Sequence, residues 1–274
     1  MTAPDIRLVA ADMDGTLLAP DGSIPAGLWP LLARLRTRGI AFAPASGRQL
    51  ATLQSMFAGA GGDLDYIAEN GAYVVRGDVE VSSDALAPGV VASVISRTRE
   101  LVASGVLRAG LVICGKRSAY IEDTDPGFVA EAGRYYAKLE VVDDLHAVSD
   151  QILKLAIFDV DGAEQHTAPA FADVRETHQV VVSGRHWVDI MNPTVNKGVA
   201  LRNLQDALGV TRAQTVAFGD YLNDVELLGA ADWSYAMAGA HPDVAAVARF
   251  RAPSNAEAGV VTVIERLLDG GLPG

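Results

Sequence analysis

Leu8-Val9-Ala10-Ala11-Asp12-Met13-Asp14-Gly15-Thr16-Leu17 decides how the rest of the chain is read. Residues 8–11 have the composition of a buried strand, and two carboxylates stand where that strand ends. Two acids two positions apart at a strand end can share one divalent cation. One can also attack a phosphorus atom while the other handles the proton of the leaving group. Gly15 and Thr16 then turn the chain away and present backbone N–H groups to the same spot. Taken alone, the stretch also has a plainer reading, as a surface turn after a strand.

Three further segments narrow the reading. Ala43-Pro44-Ala45-Ser46-Gly47-Arg48 closes a second apolar run, Asn196-Lys197-Gly198 opens an amphipathic helix, and Ala217-Phe218-Gly219-Asp220-Tyr221-Leu222-Asn223-Asp224 closes a third strand. Strand patterns at 8–11, 40–45 and 66–68 alternate with helical spacing at 28–38 and 50–57. That alternation predicts right-handed crossovers and a parallel sheet covered on both faces. Residues 72–75 and 79–81 flank Arg76-Gly77-Asp78 as a hairpin. Near 82–88 the register changes. Helical spacing over 90–103 and 126–138 mixes with strand patterns at 111–114, 118–121, 154–159, 180–183 and 187–191, and 171–177 suits a helix. After Pro193 the earlier pattern returns: helix 197–208, strand 215–218, helix 225–228, strand 233–237, then helices 242–247 and 260–268. The predicted fold is α/β, a doubly wound, mostly parallel, Rossmann-like sheet with an inserted α/β domain. The core comprises 1–83 and 189–274, and the insert 84–188.

In open parallel sheets, ligands bind beyond the carboxyl ends of the strands. Asp12, Ser46 and Asp220 each directly follow an apolar run, so one crevice can hold all three. A formal net charge of −12 disfavours nucleic-acid binding, which needs a basic surface. It also means that a phosphate-ester site must gather positive charge locally, from a metal, Lys197 or arginines. The single cysteine, Cys114, excludes an internal disulfide and reads as a buried thiol. Histidines 146, 166, 178, 186 and 241 show no metal-ligand spacing. With no leader pattern and no long apolar stretch, a cytoplasmic protein is expected, without membrane partners.

Each segment also has a plain structural reading. Ser46-Gly47 suits a helix N-cap turn with Arg48 solvated. Asp220 and Asp224 suit the N-terminus of a following helix. Thr16 suits the closing of its turn, and Asn70 the residue before Gly71. Lys197 at the first turn of a helix opposes the helix dipole, so its presence asks for another reason. Lys154 and the cluster Arg185, His186 and Trp187 suit either a substrate pocket or solvated strand ends.

In order, the four segments resemble the motifs of the haloacid dehalogenase superfamily of phosphotransferases. The long insert, Glu69-Asn70-Gly71-Ala72, the run Asp189-Ile190-Met191-Asn192-Pro193 and the tail Asn255-Ala256-Glu257-Ala258-Gly259-Val260 resemble its Cof-type subfamily with a large α/β cap. The resemblance implies a Mg²⁺-dependent phosphatase acting on small phosphomonoesters, sugar phosphates in particular, as a monomer or small homo-oligomer. It makes Asp12 the nucleophile that forms an aspartyl-phosphate and Asp14 the general acid and then base. Mg²⁺ is expected on Asp12, the Asp14 backbone carbonyl and Asp220. Ser46 and Gly47 are expected at the phosphoryl oxygens, with Asn70 near the same phosphate. Lys197 offsets negative charge, and Asn223 and Asp224 tune the site. The cap is expected to set substrate choice. Tyr221 and Gly239 depart from the common family pattern. A phosphomutase is the alternative within the superfamily, disfavoured by the sequence 219–224. A phospho-accepting signalling module is the alternative outside it, disfavoured by the insert and by Asp14.

Overall fold

The computed structural model describes residues 5–271. In chain order, β1 (Leu8–Asp12) leads through a turn to α1 (Leu28–Thr37), β2 (Ala41–Ala45), α2 (Leu50–Met56), β3 (Asp65–Ala68) and the hairpin β4 (Tyr73–Arg76) and β5 (Val79–Ser83). Then come α3 (Pro88–Ala103), β6 (Ala109–Gly115), β7 (Ala119–Ile121), α4 (Pro126–Tyr135), β8 (Leu139–Val141), β9 (Ile152–Asp159), α5 (Ala168–Ala170), β10 (Gln179–Gly184) and β11 (Trp187–Met191). The chain closes with α6 (Lys197–Leu208), β12 (Thr215–Gly219), α7 (Val225–Gly229), β13 (Trp233–Met237), α8 (Pro242–Val247), β14 (Phe250–Ala252) and α9 (Gly259–Leu268).

Two compact units result. One contains the residues up to Ser83 together with those from Asn196 onward; the other is Asp84–Val195. The first unit carries a sheet ordered β14-β13-β12-β1-β2-β3-β4-β5. Pairing is parallel from β14 to β3, and the hairpin extends it antiparallel. Alternation along β1 sends Leu8 and Ala10 to one face and Val9 and Ala11 to the other. On the first face they meet Ala200, Leu201 and Leu204 of α6 and Leu227 and Leu228 of α7. On the second they meet Leu28, Leu31 and Leu35 of α1 and Val263 and Ile264 of α9. Coverage on both faces is why 8–11 carries no polar residue. Truncating one of these leucines to alanine costs about 2–5 kcal/mol.

The second unit has its own sheet, ordered β10-β11-β9-β6-β7-β8. Its pairings are antiparallel except for β7 with β8. Val91, Val94 and Ile95 of α3 pack with Ile113, Leu155 and Ile157. Phe128 and Ala132 of α4 pack with Val112, Cys114, Ala156 and Trp187 in a separate cluster.

Several sequence expectations shift. The limit expected at 188/189 moves to 195/196, because β11 pairs antiparallel with β9 and β10 and so carries 189–191 with the insert. The helix expected over 126–138 ends at Tyr135, and 139–141 becomes β8, pairing with β7. The helix expected over 171–177 is a 3₁₀ turn at Ala172–Glu176. Lys154, expected at a strand end, is instead the third residue of β9 and is buried. Arg185 sits exposed at the β10–β11 tip while Trp187 is buried. Cys114 is buried as expected. Among the described residues, no helix is long and apolar enough to cross a membrane.

Candidate active site

The site is built where β1, β2 and β12 end side by side. Asp12 is the last residue of β1 and pairs in register with Ala45, so Ser46 follows directly alongside. On the other side Ala11 pairs with Phe218, so Asp220 emerges just past the end of β12. The turn after Asp12 needs glycine at position 15. Its φ is +81°, and a Cβ there would lie 2.3 Å from Asp220 Oδ2. Close approach also explains Gly198: a Cβ would fall 2.3 Å from the Glu226 carbonyl oxygen. That approach packs the start of α6 against α7 and brings Lys197 to the strand ends.

Lys197 is the centre of the arrangement. Its Nζ donates to Asp12 Oδ1 at 2.5 Å and to Asp224 Oδ1 at 2.7 Å. Lys197 is 1% exposed, Asp12 6% and Asp224 0%, so these charges are held away from water. This is the reason a cation stands at a helix start: two buried carboxylates outweigh the dipole. Burial pushes Lys197 toward losing its proton, but Asp12 and Asp224 overcome that and hold its pKa above the usual value. Burial also drives the Asp12 carboxyl upward, against the pull of Lys197 and with the push of Asp224. Asp224 Oδ2 accepts from the backbone N–H groups of Asp220 and Tyr221, at 3.1 and 3.3 Å. Asp220 is raised by burial, partly offset by the Thr16 hydroxyl, which donates to Asp220 Oδ1 at 2.8 Å.

Ligand atoms of Asp12, Asp220 and Asp224 all lie within 4.8 Å of one another. Three carboxylates face one ammonium, so the cluster keeps net negative charge. Hard oxygens, acidic surplus and close spacing fit a small divalent cation such as Mg²⁺.

Asp14 stands apart from this cluster. Its carboxylate receives Arg48 Nη2 at 2.6 Å on Oδ1 and 3.0 Å on Oδ2. The side chains are 66% and 29% exposed, respectively. The loop carrying Arg48 is fixed from two directions. The backbone N–H of Arg48 donates to Ser46 Oγ at 3.2 Å, and the Glu69 N–H donates to the Arg48 carbonyl at 3.0 Å. The Asn70 N–H donates to the Ser46 carbonyl at 2.9 Å. Glu69 and Asn70 hold φ of +50° and +56°, conformations that non-glycine residues keep only where the surroundings impose them. The amide of Asn70 lies 3.0 Å from where a Cβ on Gly47 would be, so a larger residue at 47 would have to displace that side chain.

The structure therefore gathers Asp12, Lys197 and Asp220 in one cluster, and places Ser46, Gly47 and Asn70 in a second, locked pair of loops. Asn223 is exposed on the turn after β12. The carboxylates gathered around Lys197 and the acidic cluster include Asp224 rather than Asp14, whose side chain is turned to Arg48. Thr16 does more than close its turn, since it fixes Asp220. Arg48, solvated on the plain structural reading of its segment, is paired with Asp14. The one signal for it was its place directly after Ser46-Gly47. Tyr221 is exposed with its ring edge-on to His241, whose backbone N–H donates to the Asp220 carbonyl at 2.9 Å.

An open, mostly parallel sheet with acids at adjacent strand ends and a buried lysine between them defines a class: phosphoryl-transfer enzymes with an inserted second domain. The pattern of the haloacid dehalogenase-like hydrolases matches residues 9–264, and the chain belongs to that family. Within it the chain is a phosphatase of the Cof type, a phosphoric monoester hydrolase. It is 32% identical over 268 residues to the 5-amino-6-(5-phospho-D-ribitylamino)uracil phosphatase YbjI of Escherichia coli K12, covering 96% of each chain. It is 28% identical over 244 residues to the HMP-PP phosphatase of Cronobacter sakazakii, covering 88% of this chain and 87% of that one. Among solved structures, SMU.1108c from Streptococcus mutans UA159 superposes with a TM-score of 0.81 at 28% identity, covering 96% of this chain and 99% of that one. TM0651 from Thermotoga maritima shares the fold at 23% identity and a TM-score of 0.81, covering 95% and 97%.

Proposed function

We propose that this phosphatase is Mg²⁺-dependent, acts in the cytoplasm and cleaves small phosphomonoesters, sugar phosphates in particular, through an aspartyl-phosphate on Asp12. The observation that carries the reading is the Lys197 ammonium bridging Asp12 and Asp224 out of water. A buried, fixed cation beside a carboxylate is what an anionic nucleophile needs to approach an anionic ester. The phosphoribitylamino group named for the E. coli relative supports a polyol or sugar phosphate as the substrate class.

Asp12 Oδ attacks phosphorus and forms the acyl phosphate as the bond to the leaving oxygen breaks. Asp14 gives its proton to that oxygen. Water then attacks phosphorus, Asp14 takes a proton from it, and the bond to Asp12 breaks to release inorganic phosphate. Asp14 suits the proton-carrying role because it is the exposed acid. Ser46 donates to a phosphoryl oxygen, with Gly47 and Asn70 shaping the same cradle, and Lys197 offsets the charge on Asp12. Asn223, on the exposed turn, adds a polar contact to substrate. Asp12, Asp220 and the Asp14 backbone carbonyl would hold Mg²⁺, with Asp224 behind them. Bound there, it would supply positive charge to the phosphoryl oxygens.

A phosphate-release screen over sugar phosphates, nucleotides and cofactor phosphates tests this. The reading expects turnover of sugar or polyol phosphates with Mg²⁺ and none by Asp12→Asn. Turnover by Asp12→Asn at the wild-type rate would remove the covalent mechanism.

A further inference from the structure

Arg48 sits in contact with the acid whose proton must move twice. Its Nη2 reaches both carboxylate oxygens of Asp14, at 2.6 and 3.0 Å. Arg48 is anchored at its own backbone on both sides, through Ser46 Oγ and the Glu69 N–H. Asp14 is different: its backbone is extended within the turn after β1 and its side chain is largely solvated. A carboxylate in that position samples several rotamers unless something holds it, and the guanidinium is what holds it here. Donation to both oxygens suits a carboxylate better than a carboxyl group, one of whose oxygens is a hydroxyl. The carboxylate is the form Asp14 has when it is to take a proton from water, not when it is to give one.

We propose that Arg48 is a positioning residue for the second half-reaction, holding the Asp14 carboxylate where it accepts the proton of the attacking water. This rests on the aspartyl-phosphate reading above. Water's oxygen bonds to phosphorus, its proton passes to Asp14, and the Asp12 Oδ–P bond breaks with its electrons returning to Asp12. Arg48 neither gives nor takes an atom. The pair is exposed, so the attraction between the two groups is weak, and Asp14 can leave Arg48 when it donates to a leaving group.

Rapid-quench kinetics with an aryl phosphate, whose leaving group needs little acid help, separates the two steps. In Arg48→Met the first release of phenolate stays near the wild-type rate, while phosphate release slows about tenfold and Asp12 accumulates phosphoryl. Arg48→Lys restores part of the phosphate-release rate, because an ammonium can still contact the carboxylate. In an Asp14→Ala background, Arg48→Met adds no further slowing. Thermal melting of each variant, matching wild type, reports that the fold is kept. Equal slowing of both steps, or the same slowing with and without Asp14, would overturn the assignment. A wild-type protein that never carries phosphoryl on Asp12 would overturn the functional reading with it. Phosphoryl on Asp12 whose hydrolysis is unchanged in both Arg48 variants would overturn the Arg48 assignment alone.

Discussion

Asp12 and Asp14 are separated by one residue, yet each has found a cation of a different kind. Asp12 meets Lys197 out of water, within a cluster that also holds Asp224. Asp14 meets Arg48 in the open. The first pair is costly to assemble and, once assembled, cannot move; its charges are pre-set for whatever binds between them. The second is cheap to break and re-form. A nucleophile needs the first environment and a proton carrier needs the second; the end of β1 at Asp12, with Asp14 already in the turn that follows, provides one of each.

Four changes test this contrast, from the largest effect to the smallest. Lys197→Met leaves two buried carboxylates without their cation. It should lower kcat by at least about 10³-fold and destabilise the fold by about 3–5 kcal/mol. Denaturant unfolding and steady-state kinetics check both, and a variant as stable as wild type would break the account of the buried pair. Asp14→Ala should lower turnover of an alkyl phosphate by about 10²–10⁴-fold. Its stability should change by less than about 1 kcal/mol, because the lost pair is exposed. A large loss of stability would mean that the two pairs do not differ as described.

Metal removal addresses the acid surplus around Lys197. Chelation should abolish activity, Mg²⁺ should restore it, and Ca²⁺ should support it poorly because it takes more ligands at longer distance. Mg²⁺ should also raise the melting temperature of wild type and not of Asp220→Asn. An equal rise in both would place the cation elsewhere.

Asp65 provides the mildest case, a buried acid paired across the strand ladder with Arg76, which stands at an exposed position. Burial raises its carboxyl to about 6, with Arg76 offsetting only part. The folded state therefore holds this proton more tightly than the unfolded chain does. The group costs nothing below the unfolded value near 3.8, costs progressively more as pH rises toward 6, and costs its full amount above that. Asp65→Asn should be more stable than wild type at pH 8 by about 1–2 kcal/mol, the upper limit being reduced by partial solvation, and equal to it near pH 4. Unfolding at the two pH values measures it. A pH-independent difference would mean that ionisation of Asp65 is not the cause.

The core was legible because its signals are local. Residues 8–11 are apolar on both faces, and the acids fall at the strand ends that this pattern defines. The helix expected over 197–208 and the strand expected over 233–237 appear with those limits. What the sequence hid depends on distant partners. β8 and β14 are three residues each and exist through pairing with β7 and β13. β11 goes with the insert because of β9 and β10, which no property of 187–191 announces. The same holds in the site. Asp12, Asp220 and Lys197 sit in patterned stretches, whereas the Arg48–Asp14 pair and the Thr16 bond to Asp220 span 34 and 204 residues and leave no mark in either segment.

The central claim is that the buried carboxylate, not the exposed one, takes the phosphoryl group. Asp14→Ala mixed with an aryl phosphate and Mg²⁺, quenched in acid within the first turnover, should gain the mass of one phosphoryl group. Fragmentation should locate it on Asp12. Phosphoryl on any other residue, or turnover with no modified protein at any quench time, would contradict the account.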